Sequence, residues 1–208
     1  MSPNAKSQSS YLGKRVVDLM VLAVGAVPAL LVGLSCGAVV RATSPGPVLF
    51  RQMRIGLDGE EFECFKFRTM VDGDNPLIPD DSRITAVGKW LRRFSLDELP
   101  QLLNVARGEM SIVGPRPMLP FQAERCDDVQ RGRFSVRPGL TGWAQINGRN
   151  SVNWPKRIEL DLEYVDRQSA FFDGKIMLGT AGALLSGSGV EGHDANDPFV
   201  QAPDPDND

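Results

Sequence analysis

LMVLAVGAVPALLVGLSCGAVV, residues 19–40, is a run of 22 residues without one charged side chain. A helix needs about 20 such residues to cross a bilayer. Lys14 and Arg15 precede the run and Arg41 follows it, so both ends carry the charge that favours the cytoplasmic side. Pro28 sits near the middle, where it removes the hydrogen bond to the Val24 carbonyl and crowds the preceding turn; Gly25 and Gly33 flank it. Together these features predict a kinked, re-entrant helix that enters one leaflet and returns. A plain transmembrane helix is the simpler alternative. A cleaved signal peptide fits less well, because the run is long and no clean small-x-small site precedes Arg41.

The rest of the chain divides around this segment. Residues 1–13 read as a flexible N-terminus, 14–43 as the membrane helix, 44–186 as one compact domain and 187–208 as an acidic tail. Residues 191–208 hold six acids and no Lys or Arg, which leaves residues 1–190 with a net charge of +3. So mild a basic excess does not argue for nucleic acid, but it suits phosphate ligands or an anionic membrane surface. Cys36, Cys64 and Cys126 form no C-x-x-C pair and His193 is the sole histidine, which disfavours a structural zinc site and a histidine-based nucleophile. The odd, widely spaced thiols suit a reducing compartment.

Ser44-Pro45-Gly46-Pro47 is a strong turn that ends the membrane segment. Val48–Phe50 and Glu61–Arg68 read as strands, joined by a reversal at Asp58-Gly59. Short helices are expected over Ile84–Arg93 and from Pro120 to about Arg131, and longer ones over Trp154–Arg167 and Lys175–Leu185. The fold class is therefore α+β, mostly helical with a short β-hairpin. Lys66 and Arg68, on the second strand, either enter a site or face solvent. Asp161 likewise either faces a site or is an exposed helix acid.

Phe94-Ser95-Leu96-Asp97-Glu98-Leu99-Pro100 carries the densest chemistry. Ser95-x-x-Glu98 matches a capping box, but a Ser95 cap would make Pro100 the fifth helical residue. A helix starting near Asp97 and stopping at Gly108 places Pro100 where its missing N–H costs nothing. The helix dipole would then keep Asp97 and Glu98 ionised beside Arg92 and Arg93. Such a pair suits metal binding or nucleophilic attack; two ordinary capping acids look the same. Gly114-Pro115-Arg116-Pro117 presents a rigidly held arginine. The stretch Arg137–Asn150, with Gly139, Gly142, Gln145, Gly148 and Arg149, reads as an anion cradle, although it is neither a P-loop nor a dinucleotide fingerprint.

These motifs, in this order, resemble those of the small monotopic phosphoglycosyl transferases, a family of bacterial sugar transferases. The likeness runs from Lys14-Arg15-x-x-Asp18 to about His193. It includes Ser44-Pro45-Gly46-Pro47-Val48, Phe50-Arg51-Gln52, Lys66-Phe67-Arg68-Thr69-Met70, Leu96-Asp97-Glu98-Leu99-Pro100-Gln101-Leu102, Met110-Ser111-x-Val113-Gly114-Pro115-Arg116-Pro117 and Arg137-Pro138-Gly139-Leu140-Thr141-Gly142-Trp143-Ala144-Gln145-x-Asn147-Gly148-Arg149. The family commonly has Ser before the membrane proline, where this chain has Val27.

The resemblance implies a re-entrant helix broken at Pro28 and a catalytic domain on the cytoplasmic face of the bacterial inner membrane. It implies transfer of a sugar-1-phosphate from a UDP-sugar to polyprenol (undecaprenyl) phosphate, with release of UMP. Asp97 would be the nucleophile and would form an acyl-phosphate. Glu98, with Asp97 beside it, would hold Mg²⁺. Lys66, Arg92 and Arg116 would hold the diphosphate or order the dyad, and Arg149 would bind phosphate together with Arg137 and Gln145. Asp173, in Phe172-Asp173-x-Lys175-Ile176, matches a recurring family acid and is grouped with the substrate-binding residues. The ending Ser188–His193 looks like members that handle N-acetylated amino sugars. Two other classes compete: an inactive membrane-docked scaffold, and a phosphohydrolase that passes the intermediate to water. The sequence leaves the oligomeric state open, a homodimer included.

Overall fold

The computed structural model describes residues 10–71, 81–148, 152–186 and 199. The uncharged run lies within helix α1 (Lys14–Thr43), which continues through Pro28 without ending there. By length and composition α1 could cross a membrane. Its middle is bare: Val24, Val27, Leu30, Leu31 and Leu34 are all exposed. Its ends are covered, with Lys14 and Asp18 buried at one and Cys36 and Val40 at the other.

Strands β1 (Leu49–Ile55) and β2 (Glu61–Phe67) pair antiparallel, with Leu49 opposite Phe67 and Ile55 opposite Glu61. Asp58 (φ 54°) and Gly59 (φ 83°) take the left-handed conformation that reverses the chain. Helix α2 (Ala86–Arg93) starts at Thr85, whose hydroxyl accepts from the Gly88 N–H at 2.9 Å. Arg68 neither faces solvent nor enters the dyad site. It is buried, and its Nη2 donates to the Ser44 carbonyl at 2.7 Å, clamping the turn after α1.

The helix expected from Asp97 to Gly108 is two elements. A 3₁₀ turn covers Leu96–Gln101, and α3 (Leu102–Arg107) follows, ending at Gly108 in the left-handed conformation (φ 85°). Pro100 has no N–H to give an α-ladder, which begins only at Leu102. Neither the expected cap at Asp97 nor the alternative at Ser95 forms. Ser95 itself turns left-handed (φ 54°) and makes no side-chain cap bond. The helix predicted from Pro120 to Arg131 is also cut short. Helix α4 spans Pro120–Glu124, and a 3₁₀ turn covers Gln130–Ser135. Between them Asp127 Oδ1 accepts from Gln130 N–H and Gln130 Oε1 accepts from Asp127 N–H, a local exchange that replaces the helical ladder.

Strands β3 (Ser111–Val113) and β4 (Gly139–Thr141) form a parallel pair. Helices α5 (Trp143–Ile146), α6 (Trp154–Arg167) and α7 (Ala170–Ser186) complete the body. Gly139 and Gly142, two of the glycines read as an anion cradle, make close backbone contact with Gly114. A Cβ on Gly139 would lie 2.0 Å from the Gly114 nitrogen, and one on Gly142 would lie 2.2 Å from the Gly114 oxygen.

Two packing features fix the acidic pair and the strand above it. Leu96 and Leu99, either side of the acids, pack on the cluster Cys36, Val40, Phe67 and Leu91. The pair is thereby held against the C-terminal end of α1. Asn104, fully buried, stitches α3 to β2: its Oδ1 accepts from Phe65 N–H at 3.2 Å and its Nδ2 donates to the Glu63 carbonyl at 2.7 Å.

Candidate active site

The 3₁₀ turn brings Asp97 and Glu98 under β2, so their surroundings are side-chain charges rather than a helix end. Glu98 Oε1 accepts from Lys66 Nζ at 2.8 Å and from Arg116 Nη2 at 2.7 Å. Arg116 Nη1 lies 3.5 Å from Glu98 Oε2. Burial alone would raise the Glu98 pKa, but Arg116 and Lys66 outweigh it and hold the carboxyl well below the usual glutamate range. The expected dipole is not the cause.

Asp97 behaves differently. It is 8% exposed, and among the described residues no hydrogen bond or ion pair reaches its carboxylate. Burial and the neighbouring Glu98 charge push its pKa up, while Lys66, Arg116 and Arg92 pull it down; the net direction is upward. Asp97 is thus a carboxylate with uncommitted lone pairs in a positive surround. Arg92, whose charge also reaches Asp97, is held by Thr69, whose Oγ1 accepts from Arg92 Nε at 3.0 Å.

Sequence reasoning missed Arg54. Its Nη1 donates to the Pro117 carbonyl at 3.0 Å, and its charge reaches both Arg116 and Glu98. The register set by Asp58-Gly59 places Arg54 opposite Phe62 and Phe50 opposite Lys66, so Arg54 and Lys66 share a face of the hairpin. Lys66, Arg54, Arg92 and Arg116 against Asp97 and Glu98 leave a formal charge of +2, which suits a diphosphate.

Three other expected site residues stand apart from the dyad, with no hydrogen bond or ion pair to it among the described residues. Arg137 Nε donates to the Gly108 carbonyl at 2.7 Å, where Arg15 also caps α3 through the Val105 and Ala106 carbonyls. Gln145 Nε2 reaches the Leu140 carbonyl at 3.4 Å and packs against Gly142. Asp173 is fully buried, and both of its oxygens are engaged. Oδ2 accepts from Lys14 Nζ at 2.6 Å and Tyr11 OH at 2.8 Å; Oδ1 accepts from Tyr164 OH at 2.9 Å. With both oxygens engaged and no exposed face, Asp173 latches the base of α1. Asp161 is not an exposed helix acid; it is buried against Arg133. Arg149 and the Ser188–His193 ending lie outside the described residues.

Asp173→Asn should therefore act on stability. It leaves the buried Lys14 ammonium short of its closest counter-charge, a loss of about 3 kcal/mol. We expect a lower Tm in detergent and unchanged UDP-sugar affinity in the folded protein. Lost donor binding at an unchanged Tm would return Asp173 to the substrate site.

Comparison with known proteins gives a consistent result. Residues 9–187 match the family model described as bacterial sugar transferase. The chain is 48% identical over 157 residues to the uncharacterized sugar transferase EpsL of Bacillus subtilis, a match covering 74% of this chain and 78% of that one. It is 38% identical over 198 residues to the exopolysaccharide production protein ExoY of Rhizobium meliloti, covering 86% and 88%. It is 47% identical over 151 residues to the UDP-glucose:undecaprenyl-phosphate glucose-1-phosphate transferase of Escherichia coli. There the match covers 66% of this chain but only 32% of the longer relative.

Proposed function

The chain belongs to the bacterial sugar transferase family, and on that premise we propose that it moves a sugar-1-phosphate from a UDP-sugar to undecaprenyl phosphate, a membrane step of polysaccharide assembly. The observation that carries this reading is the uncommitted Asp97 carboxylate among Lys66, Arg92 and Arg116. Relatives named for glucose-1-phosphate and exopolysaccharide functions support the substrate class.

In the proposed reaction an Asp97 oxygen attacks the sugar-side phosphorus of the donor. The bond from that phosphorus to the bridging oxygen breaks, and UMP leaves with the electron pair. A phosphate oxygen of undecaprenyl phosphate then attacks the same phosphorus and displaces Asp97. The product is undecaprenyl-diphosphate-sugar, and the carboxylate is regenerated. Lys66, Arg54 and Arg116 offset the diphosphate charge so that an anion can approach an anion. The charge of Arg92 reaches the nucleophile.

The dyad suits Mg²⁺. Among the described residues Asp97 is free of bonds, and Glu98 Oε2 has only the 3.5 Å contact to Arg116. Among the described residues no group of three or more His, Cys, Asp or Glu could hold a metal. Glu98 and Asp97 would thus supply one or two ligands, with phosphate oxygens and water supplying the rest, as Mg²⁺ sites commonly arrange. When bound, the ion offsets charge on the diphosphate and the departing UMP.

Helix α1 is read as re-entrant in the inner membrane, with the domain on the cytoplasmic side. Both of its ends rest on the same body. Asp18 Oδ1 accepts from Ser111 Oγ and Ile112 N–H, while Cys36 and Val40 pack with Phe67 and Leu91. Trp90 (54% exposed) and Phe94 lie beside it as interfacial anchors. Cysteines placed at exposed positions by Leu12→Cys and Ala42→Cys should label from the same side of sealed vesicles; opposite-side labelling would make α1 a spanning helix.

The deciding experiment supplies purified protein with Mg²⁺, undecaprenyl phosphate and a panel of UDP-glucose, UDP-galactose and UDP-N-acetyl sugars. One donor should give lipid-linked product and UMP in equal amounts. Sugar-1-phosphate released to water without the lipid would mark a phosphohydrolase, and no turnover of any donor would mark a scaffold.

A further inference from the structure

We propose that Arg133 and Asp161 are positioning residues for the reaction, acting through Arg116. The inference rests on the proposed transfer reaction, in which Arg116 serves the dyad. Arg133 lies in the Gln130–Ser135 turn and Asp161 in the middle of α6, and each is 1% exposed. A single guanidinium nitrogen of Arg133, Nη2, donates to Asp161 Oδ2 and also, at 2.8 Å, to the backbone carbonyl of Arg116.

The pair is a poor device for stability alone. Among the described residues Arg133 Nε and Nη1 and Asp161 Oδ1 are buried without partners. A buried ion pair left partly unsatisfied does no better than apolar side chains of the same size. What apolar side chains could not do is hold a chosen carbonyl.

The segment that pair grips is pinned at both flanks, where Gly114 N–H donates to the Thr141 carbonyl and the Met118 carbonyl accepts from Ile55 N–H, each at 2.9 Å. Pro115 and Pro117 have no N–H to donate, so the segment is fixed mainly through its carbonyls. Gly139 N–H holds the Pro115 carbonyl at 2.8 Å, and Arg54 holds the Pro117 carbonyl at 3.0 Å. Arg133 holds the one between them, on the residue whose guanidinium grips Glu98. A small cavity lined by Pro115, Arg116, Pro117 and Arg133 lies next to this segment. Without the Arg133 bond the segment loses its middle anchor, and among the described residues the Arg116 side chain, 39% exposed, has only Glu98 to fix it. The pair is formally neutral, so it acts by placing Arg116 rather than by adding field to the site.

A double-mutant cycle tests this. Arg133→Met, close in shape to arginine without its charge or donors, should lower kcat/KM for the UDP-sugar roughly 10–100-fold, the worth of a charge-assisted hydrogen bond. In the Arg116→Ala background the same change should cost no more than about 3-fold, because the group being positioned is gone. Tm should fall equally in both backgrounds, a readout that separates placement from folding. If Arg133→Met does not fold, Asp161→Asn takes its place in the cycle, with a smaller loss that also vanishes without Arg116. Multiplicative losses would overturn the positioning role and leave the pair as core structure. Full activity of Arg116→Ala alone would instead overturn the role given to Arg116 and this inference with it.

Discussion

Asp97→Asn should abolish turnover, lowering kcat by roughly 10⁴-fold or more, as loss of a covalent nucleophile does. The substitution keeps the shape and removes the attacking anion. It breaks no hydrogen bond, because none reaches the Asp97 carboxylate among the described residues. The protein should fold as before, with Tm within a few degrees, since an isosteric change that breaks no contact costs little. The change should leave the dyad's cations and Glu98 in place. A variant that retains normal activity would rule out attack by Asp97.

Glu98→Gln should be damaging in a different way. Lys66 and Arg116 converge on one Glu98 oxygen, and the amide leaves two cations facing each other without their counter-ion. We expect roughly a 10³-fold loss of kcat/KM together with a stability loss of about 2 kcal/mol, within the range for breaking a buried pair and discounted for the partly exposed partners. The sign of its pH dependence comes from the lowered pKa of Glu98. The stabilisation is present above the ordinary glutamate range and is lost as pH falls through the folded-state value. The variant should therefore lag the natural protein at neutral pH and approach it in acid. Asp97→Asn and Glu98→Gln thus separate by stability: the first is inactive and stable, the second inactive and weakened.

The parts of this architecture that depend on local chemistry were readable in the sequence. The uncharged run gave α1, Asp58-Gly59 gave the hairpin, and Gly108 gave the end of α3. Adjacency gave the acidic pair. What stayed hidden depends on which distant segments meet. Strands β3 and β4 are three residues each, too short to show alternation. The left-handed turn at Ser95 has no signature in a serine, so the dyad read as the start of an α-helix. Arg54 needed the hairpin register before it could be placed beside Lys66. Arg137 carries the right charge for a phosphate site and Asp173 matches a recurring family acid, and only packing shows that one caps α3 and the other latches α1. Charge type suggested which residues could serve the reaction, whereas burial and partner count decided which are free to do so.

The covalent role of Asp97 is tested most directly without any acceptor lipid. Purified protein incubated with Mg²⁺ and its UDP-sugar should release one UMP per active site and then stop. Intact-mass spectrometry should show the chain heavier by one sugar phosphate, with the added mass on the peptide that carries Asp97. UMP release that requires undecaprenyl phosphate, with no added mass on Asp97, would contradict the account.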